Sequence, residues 1–320
     1  MLQDECHLFN GQSAIIACMI LVTGGTGFIG SKVILRLVQS HFPLKVLLRP
    51  QKIITKLPHD LALDVVVSSL KDQRSLRAVL SGVETVLHFS SAENEKPHPN
   101  FEDVDVIGTE TLIKASIDAG VEKILFLSRI GADNNSMYPI LKAKALAENA
   151  IKNSGLDYMI LRLTDVFGEN DHFTNQLASY IKAAPGIVPL PEGGKMVLQP
   201  LWIEDLISSI FLLLEDDLFN KSIYTIGGGE FFEFNSIIKI IMKKVERRKM
   251  LFAVAPAYLR LYNLWFEQGK SGFPLSSTWL DLLAVDRTCA LDSLPRTFKL
   301  LPARFTHHLD HLKINSSELH

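Results

Sequence analysis

Residues Met19 to Gly30 read Met-Ile-Leu-Val-Thr-Gly-Gly-Thr-Gly-Phe-Ile-Gly, and no other stretch constrains the fold of this chain so tightly. An apolar run, Ile20 to Thr23, passes directly into Gly25-x-Gly27-x-x-Gly30. The chain then enters a helix-forming segment, Ser31 to Ser40, whose Val33, Ile34, Leu37 and Val38 form one apolar face. Strand, glycine turn and helix in that order predict the pyrophosphate-binding turn of a dinucleotide fold. One glycine permits the tight bend, one lets the backbone approach the ligand, and one lets the helix start pack on the strand. The anion then meets unpaired N–H groups at the positive end of the helix dipole.

Further along, short Val/Ile/Leu-rich runs alternate with helix-length segments. That rhythm predicts an α/β fold with a doubly wound parallel (Rossmann) sheet, its strands buried on both faces. Strands are expected at Leu44–Leu48, Leu63–Val67, Val83–Phe89, Lys123–Leu127, Asp157–Arg162 and Ser222–Ile226. Helices are expected near Asp72–Leu80, Phe101–Ala119, Tyr138–Asn153, Phe173–Ala183 and Ile203–Leu214. Beyond Gly229 the chain becomes mainly helical and richer in aromatic residues. This divides it into an extension outside the fold (1–18), a dinucleotide-binding core (19–228) and a smaller, mainly helical substrate or partner lobe (229–320). Two proline-bearing loops, Ser91–Asn100 and Ala184–Gly194, follow segments expected to end at the carboxyl edge of the sheet, where ligands of such sheets bind.

Composition narrows the partners. A net charge of -2 in 320 residues offers nothing to attract nucleic acid. The apolar stretch Ala14–Val22 is too short to span a bilayer, so no transmembrane segment is expected. Cys6, Cys18 and Cys289 show no CxxC spacing, which suits a soluble protein of a reducing, cytoplasmic compartment. His307, His308 and His311 lack the second ligand set that a tetrahedral metal site requires, and no metal is expected.

The end of the second strand decides the cofactor. An Asp or Glu roughly 20 residues past the glycines would accept the ribose 2′-hydroxyl of NAD. Here the chain reads Leu47-Leu48-Arg49-Pro50. A guanidinium matches a 2′-phosphate instead, so NADP(H) is favoured, with NAD(H) possible.

Several phrases carry a family likeness: Thr23-Gly24-x-x-Gly27-x-x-Gly30, Leu87-His88-Phe89-Ser90, Leu127-Ser128, Ile160-Leu161-Arg162 and Trp202-Ile203-Glu204-Asp205. From Met19 to about Phe234 the chain resembles the extended and atypical short-chain dehydrogenase/reductases, and more narrowly their NmrA-like branch. That branch includes relatives of the nucleotide-binding accessory subunit of respiratory complex I. The resemblance implies that Gly24, Gly25, Thr26, Gly27, Phe28, Ile29 and Gly30 form the diphosphate turn. It also implies that Ser69 and Leu70 stand beside adenine, and that Phe89, Ser90 and Ser91 line the nicotinamide side. Asp105 occupies a place where many members carry Asn.

Active members of such families use a Tyr, a Lys four residues on, and a Ser or Thr that polarises the substrate carbonyl. Tyr138 with Lys142 fits that spacing, and Ser128 supplies a hydroxyl. A second register, counted back from Glu148, puts the family lysine at Lys144 and makes the tyrosine position Ile140. Two residues on a helix turn roughly 200°, so only one register can face the nicotinamide. Three functions are therefore in view. The first is an NADP-dependent oxidoreductase acting on an unknown small carbonyl or hydroxyl compound. The second is a non-catalytic NADPH-binding structural or assembly subunit, with a protein partner on the C-terminal lobe. The third is a nucleotide-sugar epimerase or dehydratase.

Overall fold

The computed structural model describes residues 19–50, 63–95, 99–215, 219–267 and 277–313; the expected extension 1–18 lies outside them. Seven strands form one parallel sheet: β1 (Ile20–Thr23), β2 (Leu44–Leu48), β3 (Asp64–Val67), β4 (Thr85–His88), β5 (Lys123–Arg129), β6 (Asp157–Leu163) and β7 (Ser222–Ile226). Their spatial order is β3-β2-β1-β4-β5-β6-β7. The order reverses between β1 and β4, where a doubly wound sheet opens its ligand crevice.

Strand alternation sorts the core into two layers. Ile20, Val22, Val46, Leu87, Leu125 and Leu161 point to one face. There they meet Val33, Ile34 and Leu37 of α1 (Phe28–Gln39), Leu206 and Ile210 of α6 (Ile203–Glu215), and Leu294 and Phe298 of α8 (Ser293–Phe298). Leu21, Leu47, Val86, Ile124, Phe126 and Ile160 point to the other. Three helices cover that face: α2 (Gln73–Val79), α3 (Gly108–Ala119) and α4 (Pro139–Lys152). Period-2 alternation of apolar residues on both faces is what a fully covered parallel sheet requires.

The helix expected over Phe101–Ala119 is not one regular element. Glu102–Ile107 is a π-helical turn that runs into α3 at Gly108. The wider turn places Asp105 in the interior at 1% exposure.

A second apolar core builds the smaller lobe. Phe173, Leu177 and Ile181, from the run of α5 (Thr174–Ala183), pack with Phe234, Ile237, Ile238 and Ile241 of α7 (Phe234–Lys244) and with Leu309 and Leu312. The segment Ala184–Gly194, expected as a loop, contains the strand Ile187–Pro191, which pairs in parallel with Met250–Val254. Residues 173–191 thus share a core with the C-terminal lobe although they precede Gly229. α6 and β7, which follow them in sequence, return to the large sheet. No helix among the described residues is long and apolar enough to cross a membrane.

Candidate functional site

A cleft lies at the carboxyl ends of β1 and β4, lined by the whole turn from Gly24 to Gly30. Gly24 has φ +73°, and a Cβ there would stand 2.5 Å from the Phe89 carbonyl carbon. A Cβ on Gly30 would stand 2.4 Å from the Gly24 carbonyl oxygen. Only glycine fits either place. The Gly27 N–H donates to Gly24 O at 3.0 Å, which closes the turn. Gly27 then caps α1 with no side-chain hydrogen bond and no acidic residue in the first helical turn. The amides that open α1 have no carboxylate competitor, so a diphosphate suits them.

Arg49, just past β2, lines the same cleft, and its Nη1 lies 2.5 Å from Glu95 Oε1. Phe89, Ser90 and Ser91 follow β4 and line the cleft as well. Ser69 and Leu70 fall in the turn before α2 and do not border the cleft. Leu70 packs into the core, and Ser69 Oγ accepts the Lys71 N–H at 3.2 Å.

At the far end the two lysine registers separate. Lys144 is 4% exposed and lines the cleft, whereas Lys142 faces solvent. Lys144 Nζ lies 3.0 Å from Asp105 Oδ1, donates to Leu127 O at 3.4 Å, and sits 5.0 Å above the Phe126 ring. The other oxygen of Asp105 accepts the Ala92 N–H at 2.9 Å, so the π-helical turn ties the lysine to the loop after β4. One helical turn before Lys144 stands Ile140, 1% exposed in an apolar cluster with Leu141 and Phe101. Tyr138 immediately precedes α4, half-buried against that same cluster, and is not among the cleft-lining residues.

Ser128 does line the cleft. Its hydroxyl donates to Glu148 Oε1 at 2.6 Å, and Glu148 also receives Arg162 through Nε at 2.9 Å and Nη2 at 2.6 Å. A serine whose proton is already given to a buried carboxylate has none to offer a substrate carbonyl in this arrangement.

Beside it runs a chain of charges absent from the sequence-based expectations, its Asp165 and Arg287 buried and its Arg129 and Glu93 partly so. Arg129 bonds Glu93 through both Nε and Nη2, and reaches Asp165 Oδ1 at 3.3 Å. Arg287 donates to the other oxygen of Asp165 at 2.9 Å, while its Nη1 and Nη2 have no hydrogen-bond partner among the described residues. Burial pushes the Glu93 carboxyl up, but the Arg129 guanidinium outweighs it and holds it below the usual carboxylate range. Charged residues at the ends of otherwise apolar strands were the available signal for Arg129 and Asp165. Nothing nearby in sequence marks Arg287. His88, wholly buried between Thr23 Oγ1 (2.7 Å) and Thr109 Oγ1 (2.9 Å), has its pKa lowered to about 3 by burial and by the Lys144 charge. It is a neutral structural bridge between β1, β4 and α3.

Of the terminal histidines, His308 stacks on Trp202 at 3.9 Å, and His311 Nε2 lies 3.1 Å from Thr174 Oγ1. Both serve the packing of the smaller lobe.

A glycine turn at the switch point of a parallel sheet, opening on an uncapped helix start, defines a dinucleotide-binding Rossmann protein. Residues 24–179 match the family model described as NAD(P)H-binding. That match spans just under half of the chain and shows an NAD(P)H-binding domain. The chain is 26% identical over 321 residues to the mitochondrial NADH dehydrogenase [ubiquinone] 1 alpha subcomplex subunit 9 of Arabidopsis thaliana, covering 92% of this chain and 79% of that one. It is also 26% identical over 148 residues to the photosystem II assembly factor Ycf39 of Cyanophora paradoxa, covering 46% of each. Among solved structures it is similar in fold to a nucleoside-diphosphate-sugar epimerase of Staphylococcus aureus. That likeness has a TM-score of 0.71 at 16% identity and covers 91% of this chain and 99% of that one. A dTDP-glucose 4,6-dehydratase of Streptomyces venezuelae with NAD bound gives 0.69 at 21% identity, covering 92% and 95%. At such identities these structures speak for the fold alone.

Proposed function

We propose that this protein holds a nicotinamide dinucleotide, NADP(H) in preference to NAD(H), as a resident structural ligand and does not turn it over. One observation carries the reading: the lysine that lines the cleft, Lys144, has Ile140 where a proton-donating phenol would stand. Ser128 adds support, because its proton goes to Glu148. The oxidoreductase reading rests on Tyr138 and Lys142, of which the lysine faces solvent and neither borders the cleft. Proton transfer needs the donor within hydrogen-bond reach of the reacting group, directly or through one water.

The Gly24–Gly30 turn would hold the diphosphate, Arg49 the 2′-phosphate, and Phe89 to Ser91 the nicotinamide side. When bound, a reduced nicotinamide is a hydride donor. Here the surrounding side chains orient it and keep their protons in internal pairs.

A role within a protein assembly, as an accessory subunit or assembly factor, agrees with the names of the relatives. It also agrees with four exposed apolar side chains on the smaller lobe: Met250, Phe252, Tyr258 and Leu261. The neighbouring residues Tyr262, Leu264, Trp265 and Phe266 belong to the same apolar sequence, but their side chains lie outside the described set. Cysteine usage supports a reducing compartment.

Fluorescence titration with NADPH and NADH, followed by incubation of the complex with carbonyl compounds, tests the reading. Saturable binding tighter for NADPH, with no oxidation, is the expected result. Turnover that Tyr138→Phe abolishes would restore the oxidoreductase.

A further inference from the structure

We propose that Glu95 sets the margin between NADPH and NADH by holding Arg49 when no 2′-phosphate is present. The inference rests on the dinucleotide reading and adds a residue to it. Arg49 follows β2, at the place where this fold meets the adenosine ribose, and Glu95 reaches it from the loop after β4. Both side chains line the cleft and both are partly screened from solvent, at 23% and 29% exposure, so the pair stands inside the site.

A 2′-phosphate and the Glu95 carboxylate compete for the same guanidinium. To engage Arg49, the phosphate must displace a 2.5 Å ion pair and then sit beside the displaced carboxylate, with like charges opposed. A 2′-hydroxyl demands neither. It leaves the pair intact, and the carboxylate can accept its proton, the service that an acidic residue at the end of β2 performs in NAD-binding members of this fold. Glu95 thus lowers the return on Arg49 and keeps the preference for NADPH shallow. The loop after β4 becomes a determinant of selectivity alongside the end of β2. Glu93 on that same loop is fastened to Arg129, which fixes the approach of the acidic segment to the cleft.

The test is a double-mutant titration of the full chain, with NADPH and NADH as probes, on wild type, Glu95→Gln, Arg49→Gln and the double variant. Glu95→Gln is isosteric, and thermal melts check that each variant is folded. The expected result is a rise of about tenfold in the NADPH-to-NADH affinity ratio for Glu95→Gln, carried by tighter NADPH binding. In the Arg49→Gln background the same change should move the ratio far less, because no guanidinium is left to release. A ratio within twofold of wild type for Glu95→Gln, a shift toward NADH, or an equal rise with and without Arg49 would overturn the proposal. Wild type that binds neither dinucleotide would remove the functional reading and this inference together. Wild type that binds both, with an unmoved ratio in the variant, would remove the inference alone.

Discussion

The two ends of the cleft are built on opposite terms. At the phosphate end the backbone is left open: Gly24 and Gly30 exclude any side chain, and Gly27 starts α1 without a capping partner. At the end proposed for the nicotinamide the polar side chains are spent on one another. Lys144 is given to Asp105, Ser128 to Glu148, and Arg129 to Glu93 and Asp165. Unsatisfied amides at a helix start are inexpensive while exposed to water and ready for an anion. Buried charges must be paired wherever they occur, whether or not a ligand arrives. One end is therefore shaped as a receptor, and the other as a rigid wall against which a nicotinamide can rest.

The largest effect should come from closing the open end. Gly24→Ala forces a Cβ to within 2.5 Å of backbone at φ +73°, and dinucleotide affinity should fall about 100-fold or more, with a stability cost of about 2–4 kcal/mol. Titration and urea melts read the two effects separately. Retained affinity would mean that the ligand is held elsewhere.

Next in size is the wall. Lys144→Met leaves the Asp105 carboxylate buried and uncompensated, and should cost about 3–5 kcal/mol in urea denaturation. Pairing it with Asp105→Asn should recover much of that loss. A lysine kept only for chemistry would show neither the penalty nor the rescue.

A more gradual effect, spread over several pH units, follows from His88. Its folded pKa, lowered to about 3, lies beneath the unfolded value near 6.5, so the unfolded chain binds the extra proton between those limits. Stability should therefore be complete above about pH 6.5 and fall as the pH drops toward 3, by at most about 1.4 kcal/mol per pH unit from this group. The slope should shrink in His88→Gln, as urea midpoints measured across that range would reveal. The smallest effect is expected from Tyr138→Phe: less than a twofold change in affinity and within about 0.5 kcal/mol of wild-type stability. A large loss of affinity would place the phenol in the cleft after all.

Much of the receptor end was legible from local sequence, because its parts are contiguous. The glycine spacing, the apolar strand before it and the 3.6-residue period after it all lie within Met19 to Ser40. The large-sheet strands were legible for the same reason, each being a short apolar run that needs only burial. The wall was not. Lys142 and Lys144 are two residues apart on one helix, and the choice between them is made by partners in distant elements: Asp105 in a π-helical turn, Phe126 on β5 and the Leu127 carbonyl. The buried Glu148, one turn after Lys144, was the one local hint of that register. Arg287 reaches Asp165 across 122 positions, and no periodicity encodes such a pairing. The strand Ile187–Pro191 escaped notice because its prolines argue against a central strand, yet a two-stranded edge tolerates them.

The most direct test of the central claim is the reduced-nicotinamide fluorescence of the purified protein mixed with NADPH, followed over hours with and without added carbonyl compounds. The account predicts a saturable enhancement that persists unchanged in both cases. No enhancement at any concentration, or a decay that appears only with a carbonyl compound, would contradict it.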